Sequence, residues 1–186
     1  MNPDRRVCVA VLGLGNVMRT DDGVGMEALA ALGADPRLLD MGSPDLGKPG
    51  SVRLIEGGIL GLDLLYSVEG AENLLVLDAV DAGEAAGTLM RFEGDAVDKL
   101  PCGRSVHLLG LSDLLGAMRL LECAPQRTML LGIQPGETGW GTTLTPLVAK
   151  AIPGLLNATL LQIKVWLGAR PVAVRSAATD SLQNHW

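Results

Sequence analysis

Aromatic side chains are scarce in this 186-residue chain: one Phe, one Tyr and three Trp, 3% of the total. An interior of normal size must therefore be filled by Leu, Val, Ala and Met, within an apolar fraction of 48%. Such a composition suits strands buried on both faces, as in a parallel α/β sheet. Charge is also thin, at 19%, and basic charge thinner: 15 Lys and Arg stand against 21 Asp and Glu, a formal net charge of −6. The basic residues are scattered, so there is no stripe to follow a phosphate backbone, and nucleic acid is excluded as an expected partner. Cys8, Cys102 and Cys123 are odd in number, far apart and form no CxxC, which argues against both a disulfide framework and a thiolate zinc site. Cys8 reads as a core residue, and Cys102, in a Pro-Cys-Gly turn, has only His107 near it in sequence. Met1 to Arg6 is polar and the apolar run after it is too short for a signal peptide. No uninterrupted apolar stretch is long enough to span a bilayer. The expectation is a soluble, cytoplasmic protein with no membrane partner.

What is present begins with Gly13-Leu14-Gly15-Asn16-Val17-Met18-Arg19-Thr20-Asp21-Asp22-Gly23-Val24-Gly25. The solid apolar run Val7–Leu12 feeds into it and an amphipathic run, Val24–Leu32, leaves it. Strand, glycine turn, paired acids and helix start are thus compressed into one segment. That arrangement puts carboxylates at the carboxyl end of a buried strand, where open α/β sheets keep their sites.

Along the chain, Val7–Leu12, Ser51–Glu56, Asn73–Leu77 and Thr128–Ile133 read as apolar strands, and Thr88–Phe92, which alternates more, as a candidate antiparallel edge strand. Helices are expected over Asp22–Leu32, Ile59–Tyr66 and Leu108–Leu121, with a short helical turn at Asp95–Leu100. Thr145-Pro146 is a helix start, with Thr as N-cap, and the helix should run towards Leu167 with a kink or break at Pro153-Gly154. Gly33–Gly50 reads as a long surface loop. The fold expected is α/β: a three-layer α/β/α domain over 1–168 around a five-stranded, mostly parallel twisted sheet, followed by a loosely ordered tail at 169–186.

Three residues fall at comparable places in this scheme. Asp22 follows the first strand, Asp78 ends the third, and His107 precedes the Leu108–Leu121 helix. If strands one and three are adjacent and parallel, both acids share one rim, and two carboxylates with an imidazole suit Ni, Zn or Mn. Each has a plainer alternative. Asp21 or Asp22 can cap the first helix; Asp78 can order its loop by accepting backbone hydrogen bonds, with Asp81 its solvated neighbour; a single His at a helix start is commonly structural. Gly13-x-Gly15 after a strand also suggests a dinucleotide turn, but position 18, where a third glycine belongs, is Met18, and Asp21-Asp22 would repel phosphate. Gln134–Gly141, glycine-rich with Trp140, reads either as a groove for an extended peptide or as a connecting loop with Trp140 packed on the last helix. There is no Ser-His-Asp set, reactive Cys or HExxH to supply a conventional protease mechanism.

Taken in order, GLGNVMRTDDGVG at 13–25, EGGILGLDLL at 56–65, LLVLDAV at 74–80, HLLGLSDLL at 107–115 and GIQPGETGWGTTLTPLV at 132–148 resemble the endopeptidases that mature [NiFe]-hydrogenases. The resemblance implies an α/β/α protein that removes a short carboxyl-terminal extension from the hydrogenase large-subunit precursor after nickel insertion. It implies catalytic, metal-contacting roles for Asp22, Asp78 and His107, with an aspartyl contribution to the chemistry. The nickel arrives with the precursor, and Zn or Cd are expected to occupy the site in vitro. Gly57-Gly58 matches a substrate-recognition turn whose preceding residue in relatives is often Asp and here is Glu56. Some relatives carry Glu at the position of Asp22. A monomer is expected. The alternative is a non-catalytic, nickel-sensing docking chaperone for the same precursor, and behind it a nucleotide-binding module.

Overall fold

The computed structural model describes residues 7–39, 41, 50–100 and 106–168. Five strands form one sheet: β1 (Val7–Leu14), β2 (Val52–Gly58), β3 (Ala71–Ala79), β4 (Leu89–Glu93) and β5 (Arg127–Ile133), in the order β2-β1-β3-β5-β4. All neighbours are parallel except β4 and β5, which are antiparallel, so Thr88–Phe92 is the edge strand its alternation suggested. The helices are α1 (Val24–Gly33), α2 (Pro36–Leu39), α3 (Leu65–Val68), α4 (Asp95–Asp98), α5 (Val106–Leu120) and α6 (Pro146–Gly168).

Period-2 alternation along the central strands divides the core in two. Val9 and Val11 of β1, Leu75 and Leu77 of β3 and Leu131 and Ile133 of β5 face α1 and α6, meeting Ala28, Leu32, Leu155 and Ile163. Ala10, Leu12, Leu74, Val76 and Leu130 face the other way, onto Leu111, Leu114, Leu115 and Met118 of α5. This is the three-layer arrangement expected, with aliphatic side chains doing nearly all the filling. In β4 only one face is committed: Met90 and Phe92 pack inward while Leu89, Arg91 and Glu93 are exposed.

Several elements differ from their sequence outlines. The first helix does not begin at Asp22; a 3-10 turn, Thr20–Gly23, intervenes, because its residues are occupied in bonds to a distant loop. Strands β1 and β2 run on into their glycines, to Leu14 and Gly58, since both remain hydrogen-bonded to neighbours. The Ile59–Tyr66 helix is shorter and later: a 3-10 turn, Leu62–Leu64, followed by α3. Within Gly33–Gly50 lies the short α2, and positions 40 and 42–49 are outside the described residues. Helix α6 is not split: Pro153 lies within one continuous helix. That helix is long and apolar enough by composition to cross a membrane. Polar Lys150, Asn157, Gln162 and Lys164 interrupt it, however, and Val148, Leu155, Leu160 and Ile163 pack into the core, as in a helix of a globular layer. The 169–186 tail, with His185, and Cys102 fall outside the described residues. Cys123 is a free, half-buried thiol.

One contact sets the distance between layers. A β-carbon added at Gly25, in the first turn of α1, would lie 2.2 Å from the Leu77 carbonyl oxygen and 2.3 Å from that of Leu14. Helix α1 therefore starts directly upon the carboxyl ends of β1 and β3. Gly25→Ala is expected to force the helix off both strands at a cost of about 1–3 kcal/mol or more, read as a lowered urea midpoint at unchanged m-value.

Candidate active site

The chain reverses its direction across the sheet between β1 and β3. From β1 the chain passes through α1 on one face to β2; from β3 it departs in the opposite lateral direction towards β4 and β5, with α5 on the other face. The carboxyl ends of β1 and β3, paired as far as Gly13 and Leu77, thus open into the crevice where α/β sheets hold ligands.

Asp78 stands at this rim, the penultimate residue of β3, fully buried and on the α5 side by alternation with Leu74 and Val76. Its Oδ1 accepts the Ala79 N–H at 2.8 Å, a bond to the last residue of its own strand. Asp22 lies in the 3-10 turn after β1, which packs against β3. It is half-buried, and its Oδ2 accepts the Asn16 N–H at 3.3 Å. Gly15 makes this possible: its φ is +123°, and a β-carbon there would lie 2.0 Å from the Asp22 carbonyl oxygen. The turn consequently folds back over the strand end instead of leading away.

His107 does not precede α5 but is its second residue. Two observations bring that end of α5 to the same rim. A short connection from Leu120 to Arg127 puts the helix C-terminus near the end of the sheet where β5 begins, away from the rim. One turn after His107, Gly110 meets Gly61, in the turn that follows β2: a β-carbon at Gly61 would be 3.3 Å from the Gly110 Cα. The His107 side chain is outside what is described, and among the described side chains no group of three or more His, Cys, Asp or Glu is gathered for a metal.

The glycine pair joins the rim directly. Gly58 is paired with Leu14 and its carbonyl accepts the Gly15 N–H at 2.8 Å; Glu56 is opposite Gly13 and exposed. Around these positions Val17, Met18, Ile59, Leu60, Leu62 and Trp140 expose about half or more of their surface. Trp140 is 85% exposed and is not packed on the last helix.

Asp21, weighed only as a helix cap, has a different part. It is completely buried. Its Oδ2 accepts the Gly136 N–H (2.8 Å), the Glu137 N–H (3.0 Å) and the Thr145 hydroxyl (2.8 Å), and its Oδ1 the Thr145 N–H (2.6 Å). Thr145 therefore directs its hydroxyl to Asp21 rather than to capping α6, and α1 starts with Gly23 and no side-chain cap. Only the adjacency of the two acids hinted at this in sequence. Gln134 is a second anchor that sequence reasoning missed: its Oε1 accepts from the amides of Ala82 and Glu84 and its Nε2 donates to Asp81, tying the loop after β3 to the end of β5.

A family model described as hydrogenase maturation protease matches residues 43–162. The chain belongs to that family. Among its relatives, the hydrogenase expression/formation protein HupD of Rhodobacter capsulatus is 34% identical over 161 residues, 85% of this chain and 72% of the relative. The hydrogenase 2 maturation protease of Escherichia coli K12 is 30% identical over 158 residues, 84% and 90% of the two chains. The structure of the hydrogenase maturating endopeptidase HybD from E. coli superposes with a TM-score of 0.76 at 29% identity, covering 86% of this chain and 93% of that one. The five-stranded mixed sheet is thus the maturation-protease fold, and the protein is a hydrolase of peptide bonds.

Burial pushes the Asp21 pKa up, but bonds from the Glu137 and Thr145 amides, the Thr145 hydroxyl and the Gly136 amide outweigh it and leave the carboxyl below its ordinary value. A folded pKa below the unfolded one contributes stability that is complete above the unfolded value, about 3.9, and is lost as pH falls through the folded value. Unfolding free energies from urea titration of the wild type and Asp21→Asn should differ by a constant amount from pH 7 to about 5 and converge below about 4. The constant difference should be on the order of 1–3 kcal/mol for each donor left facing an amide N–H.

Proposed function

We propose that this maturation protease cleaves the carboxyl-terminal extension from a [NiFe]-hydrogenase large-subunit precursor that already carries nickel, and that Asp22, Asp78 and His107 meet that nickel. The observation that carries the reading is the shared rim: Asp78 stands one residue before the end of β3, Asp22 folds back over the end of the adjacent β1, and α5 begins beside the turn after β2. Two carboxylate oxygens and an imidazole nitrogen suit a borderline divalent cation such as nickel, and Zn or Cd for the same reason.

The cation belongs to the substrate. An incomplete set of protein donors holds a free ion weakly, whereas an ion already held by the precursor adds the affinity that is missing. Recognition of the loaded precursor follows from that difference. Asp22 is half-buried and Asp78 fully buried, so the incoming precursor meets Asp22 first and Asp78 as the rim is engaged. Glu56, Gly57 and Gly58 border the same opening, where a backbone without side chains lets an extended peptide approach closely. A water held at this rim then attacks the scissile carbonyl, with either a carboxylate as general base or the precursor's nickel as Lewis acid. The new carboxylate stays with the large subunit, and the amine of the extension takes up a proton as it leaves.

The reading further places the enzyme in the cytoplasm as a monomer. Asp22→Ala, Asp78→Ala and His107→Ala should each reduce processing by at least about a hundredfold, on the scale of losing one catalytic group, while circular dichroism stays native. Mass spectrometry of the nickel-loaded precursor after incubation reads the loss of the extension, and nickel-free precursor should remain full length. Binding of the precursor without shortening by the wild type would replace the protease reading by that of a docking chaperone.

A further inference from the structure

Residues 18–21 are fastened to a distant loop with a density of bonds that the core does not require. The Gly141 N–H donates to the Met18 carbonyl (3.0 Å), the Thr20 N–H to the Gly141 carbonyl (2.8 Å) and the Asp21 N–H to the Glu137 carbonyl (3.1 Å). Arg19 Nε donates to the Thr138 carbonyl (2.9 Å) and the Thr20 hydroxyl to the Glu137 carbonyl (2.7 Å). The Asp21 carboxylate adds its four acceptances from Gly136, Glu137 and Thr145. Thr20 is held at φ +37°, a left-handed conformation that a β-branched residue adopts only when its surroundings impose it.

The object so fastened is not a core element. Residues 136–140 are all exposed, and burying a carboxylate to hold a surface loop is costly. The next residue in the chain, however, is Asp22. A 3-10 turn closed by the Asp22 N–H on the Arg19 carbonyl (2.9 Å) has little freedom once Thr20 and Asp21 are fixed. The loop's position and the direction of the Asp22 carboxylate are therefore set together.

Resting on the cleavage reading above, we propose that Asp21 is a positioning residue: its buried carboxylate locks the 136–145 loop to the turn that carries Asp22, so that acid and loop meet the precursor as one preformed surface. Its geometry favours a carboxylate specifically. Three donors converge on Oδ2 and a fourth on Oδ1, so an Asn in the same place must turn an N–H₂ towards at least one N–H.

The test pairs amide exchange with kinetics on Asp21→Asn, Thr145→Val and Thr145→Ser in the full chain. In Asp21→Asn the Gly136, Glu137 and Thr145 amides should exchange at least about tenfold faster than in the wild type, while Leu75 and Leu77 of β3 keep their protection. With nickel-loaded precursor, kcat should fall by about a hundredfold, the scale of a sub-ångström to ångström misplacement of a reacting group, with KM changed less than kcat. Thr145→Val, which keeps the backbone bond and loses only the hydroxyl, should fall between, and Thr145→Ser should restore both readouts. Unchanged exchange at the three amides overturns the lock. Faster exchange with a normal kcat overturns the positioning role while leaving the cleavage reading intact. Wild-type protein that leaves the precursor whole, with the three amides protected, sinks the cleavage reading and the catalytic purpose of Asp21 with it.

Discussion

The approach of α1 to two strand ends, with no side chain between them, is the constraint on which the rest of the structure depends. Because Gly25 rests on the carbonyls of Leu14 and Leu77, the helix cannot slide along the sheet, and the turn before it must double back over β1. Asp22 is thereby held above the junction of β1 and β3 rather than on the outer flank of the helix. The same junction is where the chain changes direction across the sheet, so the crevice and the acid at its mouth have a common origin in backbone packing.

Two tethers then act on the rim. Gln134 gathers the loop after β3 by accepting from Ala82 and Glu84 and donating to Asp81. Asp21 gathers the loop after β5 by accepting from Gly136, Glu137 and Thr145. Both use a side chain to satisfy amides that no strand or helix can reach, which is the general requirement on irregular backbone near a protein interior. Loops that would otherwise be free to wander are in this way made part of the scaffold, and the exposed apolar residues among them are displayed from fixed positions.

The layers and the strands themselves could be read in advance wherever the pattern was local. Apolar runs such as Leu74–Leu77 and Thr128–Ile133 are too short for helices and too apolar for loops, and the alternation of Thr88 to Phe92 announced an edge. Candidate acids at strand ends were legible for the same reason, since a strand's carboxyl end is a position in sequence as well as in space. What stayed hidden depended on long-range partners. Asp21 and Asp22 are neighbours with equal chemistry, and only residues 115 to 124 positions away decide that one is interred and the other faces the rim. Thr145 before Pro146 carries every local sign of an N-cap, and a carboxylate from the far end of the chain claims its hydroxyl. Pro153 ought to break α6 by propensity, yet the apolar stripe through Leu155, Leu160 and Ile163 keeps the helix in place against the sheet.

The edge strand β4 carries a consequence for the protein in a crowded solution. It is five residues long, and along its outward side Arg91 and Glu93 form an ion pair. A short, charged border of this kind offers a poor template to the unpaired strands of other chains. On that flank the sheet ends by its own chemistry, and molecules at high local concentration are discouraged from growing edge to edge into aggregates.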